Sequence, residues 1–333
     1  MRLWMLVPLL MLAATAARAA DVCPTARNQQ YAADPATRVA AVACNEHMLW
    51  YRPFIDRDGR IANTTVMESE NHLLDDGASQ AWRRVAGYWQ ESGLLRQMGG
   101  SAGAGECGYA LGDRHPSPSC RAFVIDNAWS AAFISWVMRK ARLPGFRASA
   151  SHIDYVRDAY LRPETSAYQY LDPVRAKPAI GDLLCYVRGA SNTLGYAGLL
   201  PLVNGGSGLA MHCDIVVAAN PGNDSTAYLI GGNVQQAVTM RLLPLNRNGE
   251  FWSLPQLVDG GMPCSPDNVE ACNFNRQDWA VLLKLKSPEV LAQLPAAAPF
   301  VPSSIMPSQP APVCCVHCVV GSGVPRCPQP GTP

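Results

Sequence analysis

Four short stretches hold the residues whose types and order could do chemistry: Trp129-Ser130, Ser149-Ala150-Ser151-His152, His212-Cys213-Asp214 and Gly231-Gly232-Asn233. A serine hydroxyl is a weak nucleophile until a neighbouring base takes its proton during attack. His212 is the expected base, with Asn233 or Asp214 holding the imidazole in place. Trp129 and His152 are expected to line the same cleft and touch substrate. If Ser130 opens a helix, the positive end of the macrodipole and the free N–H groups there suit a developing oxyanion. Taken singly, each residue has a plainer reading. Ser130 is a small polar residue in a first helical turn, and His152 is a helix N-terminal residue. His212 is a strand histidine bonded to a carbonyl, Asp214 an acceptor for a backbone amide, and Asn233 a turn residue after two glycines. Their order along the chain is what makes them a set.

The elements that must position these side chains are legible in outline. Asp126 and Asn127 offer N-caps to a helix over 128–142, which stops before Pro144-Gly145. Trp129, Ala132, Phe133, Trp136 and Val137 make it apolar on one side, and Ala131, Ile134 and Met138 on the others, so it should be central and buried. Ser151, with Asp154 three residues on, reads as a capping box opening a second helix that Pro163 ends. Trp82, Val85, Ala86 and Trp89 predict an amphipathic helix over 80–92. The stretch 99–119 reads as a Gly- and Pro-rich loop, and Glu68, Glu70 and His72 as the polar side of a helix before Gly77. At least five strands follow, over 182–188, 210–218, 227–230, 238–243 and 279–285. In the second, Met211, Cys213, Ile215 and Val217 share one face, and His212 and Asp214 the other. Helices followed by an antiparallel sheet predict an α+β fold.

Composition narrows the partners. The chain has 333 residues, 48% hydrophobic and 16% charged, with 27 basic and 26 acidic residues and a net charge of +1. That balance gives no electrostatic reason to expect nucleic acid or an anionic membrane surface. Residues 1–19 read as a secretory signal: Arg2, an apolar run over 3–12, then Ala17-Arg18-Ala19. The run falls short of the roughly 20 residues a spanning helix needs. No membrane span is expected, and the protein should be exported to the periplasm or beyond the cell.

Export makes disulfides the expected state of the 12 cysteines. Cys107 and Cys120, and Cys264 and Cys272, bracket loops that each pair could staple. Cys23 with Cys44 could clamp the N-terminus, and Cys185 and Cys213 could pair or simply be buried. The last 47 residues hold 11 of the 27 prolines together with Cys314, Cys315, Cys318 and Cys327. They read as an extended tail with a small disulfide knot. The expected organisation is a signal (1–19), an N-terminal extension (20–59), an α+β domain (60–286) and a Pro/Cys-rich tail (287–333).

The series Asn127–Val137, Lys177-Pro178-Ala179-Ile180-Gly181-Asp182-Leu183, Met211–Val217 and Ile230-Gly231-Gly232-Asn233-Val234 resembles the CHAP and NlpC-type amidases and peptidases of bacterial cell-wall metabolism. Those families share a papain-like fold. A Trp-Cys pair opens their first core helix, and a Pro-x-x-Gly-Asp turn leads into a strand. A His then opens the next strand, and a polar orienting residue follows on its neighbour. The likeness runs over about 129–243. More closely, the chain is similar to an uncharacterised bacterial domain family in that clan, in which serine stands where the cysteine should be. Ser130 holds that position here, and Cys213 lies beside the expected base on the opposite face.

The resemblance implies a papain-like core and a peptidoglycan amidase or endopeptidase run by Ser130, His212 and Asn233. It implies no metal and no cofactor. Two other readings keep the same cleft: an inactive module that grips wall peptides or a protein partner, and a secreted effector aimed at another cell's wall.

Overall fold

Asp34-Pro35 shows how the first long helix begins. Asp34 accepts a hydrogen bond from the Thr37 N–H at 2.9 Å, and Pro35 occupies the first helical position, where no N–H is needed. Ser117-Pro118 repeats the device, with Ser117 accepting from the Cys120 N–H. The second start lies inside the stretch expected to be loop. The same Pro that reads as a breaker in sequence opens a helix when a cap precedes it. That helix ends at Asp126, so Asp126 and Asn127 close one helix instead of capping the next, which begins at Ser130.

The computed structural model describes residues 21–109, 117–190, 192–206, 208–251, 253–262, 264–300, 317–318 and 325–326. The expected signal segment lies outside them, and so do the side chains of the four tail cysteines. The helices are α1 (Cys23–Ala26), α2 (Pro35–Leu49), α3 (Ala81–Glu91), α4 (Ala104–Cys107), α5 (Pro118–Asp126), α6 (Ser130–Lys140), α7 (His152–Leu161), α8 (Gly195–Asn204) and α9 (Pro288–Leu291). The strands are β1 (Phe54–Ile55), β2 (Ile61–Ala62), β3 (Tyr168–Leu171), β4 (Leu183–Val187), β5 (Met211–Ala219), β6 (Thr226–Val234), β7 (Ala237–Pro244), β8 (Asp278–Leu285), β9 (His317–Cys318) and β10 (Pro325–Arg326).

Eight strands form one sheet in the order β2-β1-β7-β6-β5-β4-β8-β3, antiparallel except where β1 runs parallel to β7. The fold is α+β. Helices α2 and α6 lie on the central strands, and α3 packs on α6. The apolar alternation of β5 works on both faces. Met211, Cys213, Ile215 and Val217 join the core under the helices, while Val216 joins a second cluster with Tyr186, Trp279 and Leu282. A strand buried on both sides leaves His212 and Asp214 inside the protein rather than at its surface.

Asp182, in the turn before β4, ties that strand to β8. It accepts from the Leu285 and Ala179 N–H groups and from Lys284 Nζ at 2.7–2.9 Å. Among the described residues four disulfides join Cys23–Cys44, Cys107–Cys120, Cys185–Cys213 and Cys264–Cys272; three are pairs the spacing suggested, and Cys185 and Cys213, left between pairing and simple burial, are paired. Segment 20–59 shares the domain's core, since Val39, Val42, Ala43 and Trp50 pack within it. The start of the tail does too: Leu291 is buried, and Phe300 meets the Trp136 ring edge-on at 6.3 Å.

Candidate active site

Ser130 is the first residue of α6. Trp129 before it adopts φ −100° and ψ 7°, a bridge conformation that turns the chain sharply into the helix. No described side chain caps this helix, and its first residues, Ser130, Ala131 and Ala132, are all buried. Trp129 is held from three sides. Its ring stacks on Trp50 and Tyr88, with centroids 5.9 and 5.5 Å away. Its indole N–H donates to Glu68, and its backbone N–H donates to the Asn233 side-chain oxygen at 3.2 Å once that amide is turned to put its nitrogen on Glu68. A side chain spent this way has no surface left for substrate. Trp129 is a core anchor, not the cleft wall expected.

Ser130 Oγ lies 2.8 Å from His152 Nε2. The expected partner was His212, but the start of α7 brings His152 to the hydroxyl instead. His152 Nδ1 is hydrogen-bonded to the Tyr155 hydroxyl one turn along α7. His212 stands beside this pair, its ring centre 5.2 Å from that of His152 and 5.1 Å from that of Tyr186. Its Nε2 meets Asp214 Oδ1 at 2.8 Å, and Asp214 Oδ2 accepts from Arg241 Nε at 3.0 Å. Of the two orienting residues left open by the sequence, Asp214 therefore holds His212. Asn233 faces Glu68 and the Trp129 backbone.

The reason lies in β6. Its ladder with β7 slips between Gly231 and Val234, and Asn233 takes a left-handed φ of 57°. Such a bulge re-aims a side chain, here towards the start of α6. The two glycines before it are set by close approach. A Cβ on Gly231 would fall 1.9 Å from Asp214 Oδ1 and 2.8 Å from His212 Nε2, and one on Gly232 would fall 2.5 Å from Phe133 Cβ.

Ser130 and His152 are each only 4% exposed, and His212 and Asp214 are 1% exposed. Burial disfavours the His152 cation, and neighbouring His212 adds to this, so its pKa lies well below the ordinary value. Burial works to raise Asp214, but His212 and Arg241 outweigh it and hold the carboxyl down to about 2. An ionised carboxylate only accepts, so the ring nitrogen that faces it, His212 Nε2, carries a proton. The other ring nitrogen, Nδ1, has no partner among the described residues.

A family model for an uncharacterized protein conserved in bacteria, DUF2272, matches residues 76–285, more than half of the chain. The chain belongs to the DUF2272 family. No curated protein and no solved structure matches it significantly. Ser130, His152, His212, Asp214 and Asn233 all lie inside the DUF2272 span, whereas Glu68 precedes it.

Sequence reasoning missed Glu68 as part of this arrangement. It does not lie on a helix but in a turn against the β6–β7 hairpin, where its N–H donates to Gln236 O at 2.8 Å. Burial raises its pKa, with the Trp129 N–H opposing. Tyr155 and Arg241 were also missed. The three-residue step from His152 to Tyr155 within a helix was the one available signal. Cys213 is spent in its disulfide with Cys185, and no cluster of three or more metal-ligand side chains occurs among the described residues.

Proposed function

We propose that this protein is an exported serine-type amide hydrolase of the bacterial cell wall, with Ser130 as nucleophile and His152 as its base. The observation that carries the reading is the 2.8 Å contact between Ser130 Oγ and His152 Nε2 at the N-terminus of α6. His152 is held neutral by burial, and in the tautomer that donates Nδ1–H to the Tyr155 oxygen its Nε2 accepts the serine proton. Oγ attacks the carbonyl carbon of the amide while that proton passes to Nε2. The carbonyl oxygen becomes an oxyanion facing the first N–H groups of α6. His152 then gives its proton to the leaving nitrogen, the C–N bond breaks, and the amine departs from acylated Ser130. Water attacks the ester, yields its proton to the imidazole, and releases the acid and the serine.

Four disulfides fit an oxidising compartment, and no described helix is long and apolar enough to cross a membrane. The resemblance to CHAP and NlpC-type enzymes, with their papain-like fold, supports peptidoglycan or wall-derived peptides as substrate. The test is digestion of purified peptidoglycan by wild-type, Ser130→Ala and His152→Gln protein, with new amino groups and soluble muropeptides measured. Products from wild type and from neither variant are expected; equal product from all three, or none from wild type, sinks the proposal. The burial of Ser130 favours one second reading, a silent module that binds wall peptides. On that reading wild type and Ser130→Ala retain peptidoglycan equally and neither cuts it.

A further inference from the structure

Helix α6 ends, away from Ser130, on a residue type that seldom stands in such a place. The Arg142 N–H donates to Arg139 O and the Leu143 N–H to Met138 O, both at 3.0 Å. This paired closure usually ends a helix on a left-handed glycine. Here the left-handed position, φ 53°, holds Arg142. A Cβ is disfavoured in that conformation, and strain of this kind gathers at ligand sites.

The exposed Arg142 side chain lines a cavity of about 740 Å³, well inside the roughly 300–1,000 Å³ of ligand sites. It lies between the turn at 30–32, helix α2, the end of α6 and Phe300. Three cations line it, Arg38, Lys140 and Arg142, and no acidic side chain does so among the described residues. Arg38 is fixed, with Nε donating to Ala141 O at 2.8 Å and Nη1 to Ala32 O and Ala33 O at 3.0 and 2.7 Å. Its Nη2 has no hydrogen-bond partner among the described residues. Lys140 is half-buried, its Nζ 4.5 Å from the centre of the Trp136 ring. Burial lowers its pKa, with Arg84 adding and Glu46 and Glu91 opposing. Glu46 is taken up by Arg84, and Glu91 accepts from the Trp136 indole at 2.6 Å. Lys140 and Arg142 make no side-chain hydrogen bond or ion pair among the described residues.

A cavity lined by one sign of charge draws the opposite one. The chain beyond Phe300 carries no Asp or Glu over 301–333, so its side chains do not supply it. A carboxylate offers one charge and two oxygens. A phosphate monoester offers nearly two charges at neutral pH and three oxygens, closer to what three cations need. Tyr31 and Phe300 bring aromatic rings to the same cavity. We propose that this cavity binds an aromatic phosphate monoester, its phosphate among Arg38, Lys140 and Arg142 and its ring against Tyr31 and Phe300. The inference does not depend on the Ser130 reading.

Calorimetric titration of the full chain with 1-naphthyl phosphate, 1-naphthoate, 1-naphthol and inorganic phosphate tests it. Naphthyl phosphate should bind, and each of the other three should bind at least about tenfold more weakly. Arg142→Gly and Lys140→Met should each weaken naphthyl phosphate by about tenfold. Arg142→Gly also relieves the left-handed strain, so its melting temperature should equal or exceed that of wild type. Weaker binding without lost stability is what a merely structural arginine would not give. No heat from naphthyl phosphate, naphthoate binding as tightly, or binding that survives both variants would overturn the proposal.

Discussion

Trp129 and Ser130 are neighbours in the chain, yet each belongs to a different buried polar cluster. Around Trp129 every charge has its answer. Glu46 accepts from Arg84 Nε at 2.8 Å and from the Tyr88 hydroxyl at 2.7 Å, and Tyr88 in turn accepts from Trp50 at 2.9 Å. Glu68 closes the other side on the Trp129 indole. Around Ser130 two groups are left without partners among the described residues: His212 Nδ1, and the first N–H groups of α6, which meet no capping side chain. Satisfied buried networks specify a fold, and unsatisfied ones point to a guest. The difference teaches that one cluster holds the helix start in place and the other is what is being held.

Variants should separate the two clusters. The largest effect is on activity: Ser130→Ala should lower peptidoglycan hydrolysis by about 10³–10⁴-fold. It should lower unfolding free energy by only about 1–3 kcal/mol, the cost of leaving buried His152 Nε2 unpaired. The reverse pattern is expected of Arg84→Met. It strands the Glu46 charge in the core and should cost about 3–5 kcal/mol in urea denaturation, with turnover per folded molecule preserved. If Arg84→Met abolished turnover at full folding, the division between the clusters would fail.

The adjacent glycines sharpen the comparison. Gly231→Ala places a methyl against Asp214 and His212 and should lower activity more than stability. Gly232→Ala places one against Phe133 and should cost about 1–3 kcal/mol through the packing of α6. Matched activity and melting measurements on the two variants would show whether the His212–Asp214 contact matters apart from the fold.

The smallest effect concerns pH. His47 is held down to about 4 by burial, with the Pro53 bond and Asp21 opposing and Arg52 reinforcing, and burial lowers His152 in the same sense. For both, the unfolded chain binds the proton more readily than the folded one. Stability should therefore be level above about pH 6.5 and fall as pH drops from there towards 4. Asp214, low in the folded state, extends the fall from about 4 to about 2. Urea denaturation at pH 7 and pH 5 reads the histidine part, and His47→Gln should flatten that slope while Ser130→Ala leaves it nearly unchanged.

Much of the fold was legible because its elements announce themselves locally. The stripe from Trp82 to Trp89 became α3, and the alternation around Cys213 became β5. Other elements carried no local signal that could be trusted. Helix α8 contains Pro201 and begins after Leu194 with no side-chain cap, and the β6–β7 turn uses Gln235 and Gln236 at left-handed φ without any glycine. Both conformations are imposed by neighbours, not by residue preference.

The sequence by itself determined which side chains could do chemistry, that α6 would be buried, and which cysteines in the described domain could pair, because composition, period and spacing are local properties. Only the tertiary structure decided that His152 reaches Ser130, that Asp214 holds His212, and that Asn233 turns away to Glu68. Those pairings join residues from α6, α7, β5, β6 and a turn before residue 76. Packing aligns them, and one bulge in β6 moves a side chain from one partner to another.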